Sequence, residues 1–121
     1  PPEPKGESVR EDMIMLVGAS RSKRMEQFGR VAACMLPEMV KDSELRKTFV
    51  AVSEPRREAM RSVLRRGIES GELRADLDVE LTVLMLVSPG LTQNILQLVP
   101  GAPTENFAEK LVDAVLRGAA A

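Results

Sequence analysis

Residues 57–96 read REAMRSVLRRGIESGELRADLDVELTVLMLVSPGLTQNIL, and this stretch sets the expected architecture. An arginine-rich segment with helical spacing ends at the turn GELRADLD, residues 71–78, and a long, almost uncharged segment follows. Apolar residues surround this second segment nearly all the way, so one neighbour would bury only part of them. We therefore expect a helix over residues 79–99 that lies between its own domain and a second copy of the chain.

The rest of the chain predicts an all-α protein. Ala, Leu, Met, Glu, Arg and Lys dominate it, and no segment alternates apolar and polar residues between hairpin turns. We expect an antiparallel bundle of about five to six helices, over residues 8–20, 22–40, 43–70, 79–99 and 104–118. Residues 1–6, PPEPKG, read as an extended linker, so residues 7–121 form one folded domain.

Capping residues and prolines set the expected helix ends. Side chains that can accept hydrogen bonds from free backbone N–H groups precede four helices, namely Ser8, Asp42 or Ser43, Asp78 and Thr104. Gly71 suits the end of the arginine-rich helix, because glycine adopts a left-handed φ readily. Pro37 and Pro89 each remove a helical hydrogen bond, so we expect a kink or break at both. At Pro55 the helix either bends or restarts with proline in its first turn.

Composition argues against several classes of function. The chain carries 17 Lys and Arg against 18 Asp and Glu, and a net charge of -1 disfavours unaided binding of a nucleic-acid backbone. It has no His, Tyr or Trp, so the commonest general base, the commonest metal ligand and most base-stacking groups are missing. We therefore expect no enzyme, no cofactor and no metal site. The single Cys34, in an apolar helical stretch, is expected to be a buried, inert thiol.

A run of arginines over residues 56–66 is the sharpest charge feature. One interpretation is a solvated helix face, in which Arg61 and Arg65 lie one turn apart with Glu58 and Glu69 nearby. The other is an anion or nucleic-acid patch, which the balanced overall charge disfavours. Arg56 is the exception, because it falls near the apolar stripe of its helix and could anchor a ligand carboxylate.

A membrane span is the alternative interpretation of the 79–99 helix. The uninterrupted apolar run is too short to cross a bilayer, and Ser, Thr, Gln and Asn recur after it. The chain also opens PPEP, without the basic start and apolar core of a secretory leader. We therefore expect a cytoplasmic protein with no membrane association.

Five segments resemble the C-terminal regulatory domain of TetR-family transcriptional repressors. In chain order they are KGESVREDM (5–13), KDSEL (41–45), RREA with RGIESGELRADLD (56–59 and 66–78), SPGL (88–91) and FAEKLVDAVLRG (107–118). Ser43 stands where the family's helix junction has proline. The segments span nearly the whole chain in the family's order, and none of them is a catalytic motif.

This resemblance implies an all-α regulatory domain whose last two helices pair with those of a second subunit in a four-helix bundle. It also implies a pocket among the earlier helices, where a small molecule shifts the dimer between geometries that bind DNA and geometries that do not. DNA would be bound only by an N-terminal helix-turn-helix head, which has no counterpart in this sequence.

Periodicity assigns residues to these two surfaces. The expected dimer seam uses apolar positions of the last two helices, namely Leu84, Val87, Leu91, Ile95, Phe107, Leu111 and Val115. The expected ligand-pocket wall comprises Met25, Phe28, Met35, Arg56, Met60, Leu64, Met85 and Asn94. Methionine adapts its shape to greasy ligands, although it also fills ordinary cores, and these methionines are expected to point inward. Thr92, Gln93 and Asn94 are candidate polar contacts, because polar groups on an apolar helix are costly unless paired.

The sequence therefore predicts the regulatory domain of a TetR-like repressor, which forms a homodimer and binds a small, hydrophobic effector. One alternative is a purely structural helical module that assembles subunits and binds no ligand. A helical lipid-binding domain would share the same pocket argument.

Overall fold

The computed structural model describes residues 8–18, 23–95, 98–101 and 105–121. Within these ranges the helices are α1 (Val9–Gly18), α2 (Lys23–Cys34), α3 (Leu36–Lys41), α4 (Ser43–Ser70), α5 (Val79–Pro89) and α6 (Phe107–Ala119). A π-helical segment, Gly90–Ile95, continues α5. The predicted all-α fold is confirmed, while the linker predicted over residues 1–6 lies outside the described residues.

Four helices surround the hydrophobic core. α1 packs against α4 and α6, and α5 packs against the same two helices. All four helices contribute fully buried side chains, which include Met13, Met60, Val63, Leu64, Leu86 and Val112. Burying each of them stabilises the fold by roughly 1.5–3 kcal/mol. α2 and α3 lie to one side, where α2 packs against the π segment and α3 packs against α4.

Three of the predicted N-caps are confirmed. Ser8, Asp42 and Asp78 each accept a hydrogen bond from a backbone N–H two or three residues further along, at 3.0, 2.9 and 3.0 Å. These bonds satisfy donors that the first turn of a helix leaves free. The fourth expected cap, Thr104, lies outside the described residues, and α6 begins at Phe107.

Two prolines interrupt helices as predicted. The helix expected over residues 22–40 is two helices, because α2 ends at Cys34 and α3 restarts with Pro37 in its first turn, where no N–H donor is needed. The helix expected over residues 79–99 is regular only to Pro89 and is then π-helical. The missing proline N–H removes one helical bond, and the π segment is the local rearrangement there. Every helix in the described ranges is too short or too polar to cross a bilayer.

Pro55, in contrast, lies within the continuous helix α4. Because the proline nitrogen carries no hydrogen, the carbonyl of Ala51 lacks its usual helical donor, and α4 nevertheless continues. In the turn before Pro55, the Ser53 hydroxyl donates to the carbonyl oxygen of Phe49 at 3.1 Å, and Arg57 donates to that of Val50 at 2.7 Å. Of the two outcomes predicted for Pro55, a restart of the helix is therefore wrong.

Cys34 is exposed at the end of α2, so the expectation of a buried thiol is wrong. Its helix neighbours Val31 and Met35 are exposed as well. This side of α2 therefore faces away from the core, which the apolar character of the segment alone did not indicate.

The turn after α4 joins two distant parts of the chain. Gly71 ends α4 with a φ of 82°, and the N–H of Leu73 returns to the carbonyl of Gly67 at 3.0 Å. The N–H of Arg74 then donates to the carbonyl of Ala119 at 3.0 Å. The turn is thereby attached to the end of α6.

Two ion pairs attach α1 to its neighbours. The buried carboxylate of Asp12 accepts a hydrogen bond from Arg66 of α4. On the surface, Arg10 Nε donates to Asp113 Oδ1 of α6 at 2.7 Å. α1 is consequently fixed against α4 and α6 by polar contacts as well as by its apolar face.

Candidate dimer and ligand surfaces

α5 leaves a row of apolar side chains on the surface of this chain. Leu81, Leu84 and Met85 are 51%, 59% and 46% exposed, and their spacing places them on one face of the helix. We call these three residues the outer stripe. The opposite face of α5 is buried through Thr82, Val83 and Leu86. The prediction that this helix has two apolar faces is confirmed, and its own chain covers only one of them.

α6, which packs against α5, presents small residues to solvent. Ala114 and Gly118 are exposed one turn apart, and the half-buried Leu111 precedes them on the same helix face. Lys110 and Arg117 flank this row and are exposed. Of these two helices, which pack against each other, α5 exposes large apolar side chains and α6 exposes small residues.

The residues of the expected dimer seam lie at different depths. Leu84 is in the outer stripe, and Val87, Leu91 and Leu111 are half-buried. Phe107 and Val115 are each 8% exposed, so their own chain already buries them. The side chain of Ile95 lies outside the described residues.

The row of α6 that carries Val115 faces inward because α1 packs against that helix. Val115 and Val112 belong to the same buried cluster as Met13 of α1. Periodicity detects an apolar row on α6, but it does not show which helix covers that row. In this fold α1 of the same chain covers it. Leu81, which shares the exposed face of α5 with Leu84, was not predicted for the dimer seam, because a helix that is apolar all round gives no signal for its side.

A groove of about 280 Å³ lies where α5 gives way to the π segment. It is lined by Ser88, Pro89, Thr92, Gln93, Val99 and Phe107. This volume is at the lower end for a small-molecule pocket, since such pockets are about 300–1,000 Å³. Proline at a helix break is the sequence signal that could have located it.

Two of the three polar residues expected to contact a ligand have partners within the protein. Thr92 donates to the carbonyl of Ser88 at 2.9 Å. Gln93 donates to the carbonyl of Val99 at 3.0 Å and accepts from the N–H of the same residue at 3.1 Å. These bonds hold the chain after the π segment in place, and the side chain of Asn94 lies outside the described residues.

Only some of the residues that were expected to line the ligand pocket lie together. Arg56, Met60 and Leu64 share one face of α4, and the two apolar residues are fully buried there. Met35, at the break between α2 and α3, and Met85, in the outer stripe, are both exposed, so the inward orientation expected for these two methionines is wrong. The side chains of Met25 and Phe28 lie outside the described residues.

Arg61 is the centre of an ion-pair network. Its guanidinium donates to Glu80 of α5 at 2.7 Å, to Glu58 at 3.1 Å and to Glu54. These bonds raise the pKa of Arg61 and lower the pKa of Glu54 and Glu80. The charges of this helix face are thus neutralised within the protein, which supports the interpretation as a solvated helix face over the interpretation as an anion or nucleic-acid patch. Among the described residues, acidic side chains and Cys34 form no cluster that could hold a metal ion.

Acid is expected to weaken this network. Hydrogen bonds from Arg61 lower the pKa of Glu54 and Glu80 below the ordinary 4.5, so both stay charged to lower pH in the folded state. Their contribution to stability is complete above about pH 4.5 and is lost as the pH falls further. Replacing Arg61 with methionine should flatten the dependence of Tm on pH below that value, as followed by circular dichroism. Arg65→Met is the control, because Arg65 is exposed and its contact with Glu58 is long at 3.5 Å; equal slopes in the two variants would contradict the prediction.

Arg56 differs from the other arginines of α4. Arg46, Arg57, Arg61, Arg65 and Arg66 each donate to a carboxylate or a carbonyl oxygen. The Nε atom of Arg56 is buried and has no hydrogen-bond partner in the described part of the chain. Burial lowers the pKa of Arg56 from 12.5, although arginine stays charged at neutral pH.

The family described as tetracyclin repressor-like, C-terminal domain, matches residues 3–115, a range that includes α1 to α5 and most of α6. No curated protein and no solved structure matches the chain.

Proposed function

Because the chain belongs to the family of tetracyclin repressor-like C-terminal domains, we propose that it forms a homodimer and binds a small, hydrophobic effector. Domains of this family are typically regulatory and ligand-binding rather than catalytic. In this proposal the effector controls DNA binding by a helix-turn-helix head that belongs to the same polypeptide and acts in the cytoplasm.

The observation that carries the dimer is the outer stripe of α5. An isologous dimer brings the same surface of two copies together, so the stripe of one copy would cover that of the other. Removing each of these half-exposed side chains from water would stabilise the dimer by roughly 1 kcal/mol. The small residues Ala114 and Gly118 would allow α6 of each copy to approach closely, completing a four-helix bundle.

The effector site is proposed where α2, α3, the first half of α4 and the π segment meet. These elements lie beside the close-packed core rather than within it, and α2 contacts the π segment directly. The π segment follows α5 directly along the chain, which supports a coupling between this region and the proposed interface. A ligand that binds one arrangement of these elements more tightly than the other would shift the population of dimer geometries.

Native mass spectrometry of the purified protein tests both parts. A species of twice 13.3 kDa supports the dimer, and additional mass of a few hundred daltons reveals a retained effector. A monomer at every protein concentration would reject the dimer and mean that the outer stripe is not an interface.

A structural dimerisation module without a ligand is the second candidate. It is favoured by the complete burial of Met60 and Leu64, because packed side chains at these wall positions leave no cavity beside them. The two candidates differ in one measurable respect. A module of this kind would show no change in Tm with any apolar ligand, whereas an effector domain is stabilised by its ligand.

A further inference from the structure

Arg56 occupies an unusual position for a charged residue. It lies four residues before Met60 and eight before Leu64, so it continues the buried face of α4 by one turn. Its Nε atom is hidden from solvent and unpaired among the described residues. This end of the buried face leads into the first half of α4, beside which the effector site is proposed.

Burying an N–H donor of a charged guanidinium without an acceptor is unfavourable, because that donor loses its hydration and gains no partner. The five other arginines of α4 avoid this cost through bonds within the protein, as described above. Glu54 and Glu58 are the nearest carboxylates in sequence to Arg56; the first is already shared by Arg57 and Arg61 and the second by Arg61 and Arg65. The counter-charge for Arg56 is therefore not supplied by the residues that neutralise the rest of the helix.

We propose that Arg56 binds the acid group of the effector, which makes the effector an apolar molecule with a single carboxylate. The proposal rests on the proposed function, since it names the chemistry of the ligand at that site. The Nε and one Nη of an arginine present two parallel donors that match the two oxygens of a carboxylate. The apolar part of the ligand would lie among the greasy side chains of the surrounding helices, as in most small-molecule sites.

The first test needs no ligand. If Arg56 is an uncompensated charge, Arg56→Met should raise the Tm of the ligand-free protein by a few degrees. Arg65→Met, a change of the same chemistry at an exposed position, should leave the Tm nearly unchanged. A Tm lowered by Arg56→Met would show that Arg56 has a stabilising partner within the protein and would overturn the proposal.

The second test compares decanoate with decanol, which share a chain length and differ in charge. The protein has no Tyr or Trp, so isothermal titration calorimetry and circular dichroism melts replace intrinsic fluorescence. Decanoate should bind the wild-type protein about tenfold or more tightly than decanol. Arg56→Met should abolish this preference, Arg56→Lys should retain part of it, and Arg65→Met should retain all of it.

The outcomes separate this inference from the function on which it rests. Equal binding of decanoate and decanol by the wild-type protein would support a hydrophobic effector and overturn the role of Arg56. Binding of neither, repeated with the aromatic pair 2-naphthoate and 2-naphthalenemethanol, would reject the hydrophobic effector and the acid anchor together. Equal stabilisation by acetate and decanoate would show that Arg56 attracts anions without an apolar site, and would also overturn the proposal.

Discussion

Replacing Leu84 with glutamate is expected to convert dimers of this chain into monomers. Leu84 is the most exposed residue of the outer stripe, so the proposed interface would bury it against the second copy. A carboxylate in that position loses its hydration without gaining a partner, and the symmetry of the dimer introduces it twice. A cost of about 3 kcal/mol or more corresponds to a dissociation constant raised by at least about a hundredfold. Size-exclusion chromatography with light scattering, at one fixed protein concentration, would measure the change.

Val40→Glu is the matched control for this experiment. Val40 is 78% exposed on α3, away from the outer stripe, and the substitution adds the same charge. The control should leave the dimer intact, and circular dichroism should show both variants folded. A Leu84→Glu protein that remains dimeric would place the interface elsewhere on the chain.

The two faces of α5 could be predicted from its sequence, but their assignment could not. A helix that is apolar all round carries no periodic signal that separates a core face from an interface face. The structure makes Leu86 a core residue and Met85 an exposed one, although the two are adjacent and similar in size. The difference comes from the packing of α5 against α4 and α6, which is tertiary information.

Local chemistry predicted the helix ends better than it predicted the effects of proline. The caps at Ser8, Asp42 and Asp78 follow from side chains that accept bonds from the first turn. Pro37 and Pro55 look alike in the sequence, yet the first begins a new helix and the second lies inside one. What separates the two outcomes is the tertiary setting of each proline, which the local sequence does not specify.

The candidate ligand site, too, could be predicted from the sequence only in part. The position of Arg56 beside an apolar stripe was visible in the sequence, because both lie on one helix. The bond between Arg61 and Glu80 was not, since Glu80 is contributed by α5. Arg56 differs from the other arginines of α4 in lacking an acceptor for its buried Nε among the described residues, and the acceptors of those arginines are brought together by the fold.

Gly67→Ala is expected to destabilise the fold, although alanine is the better helix former. Gly67 is buried in α4, and a Cβ added there would lie 2.7 Å from Leu73 Cδ1 and 2.8 Å from Val9 Cγ2. Crowding of this kind costs about 1–3 kcal/mol, and the gain in helix propensity offsets about 1 kcal/mol of it. We therefore expect a net loss of up to about 2 kcal/mol, seen as a lower urea midpoint with an unchanged slope.

Two further variants identify the cause of that loss. Gly18→Ala, at the last residue of α1, adds a methyl group that would meet no atom within 4 Å, so it reports helix propensity alone and should leave the urea midpoint unchanged or raise it slightly. Val9→Ala removes the methyl group that an alanine at position 67 would meet, so the double variant should lose less stability than the sum of the two single variants. Strict additivity would mean that Val9 does not cause the loss. Gly67 also leaves room for Leu73 to pack against α4, and the turn that contains Leu73 is hydrogen-bonded to the end of α6. Because α6 is part of the proposed dimer surface, a weaker contact at Gly67 should also make that surface less rigid.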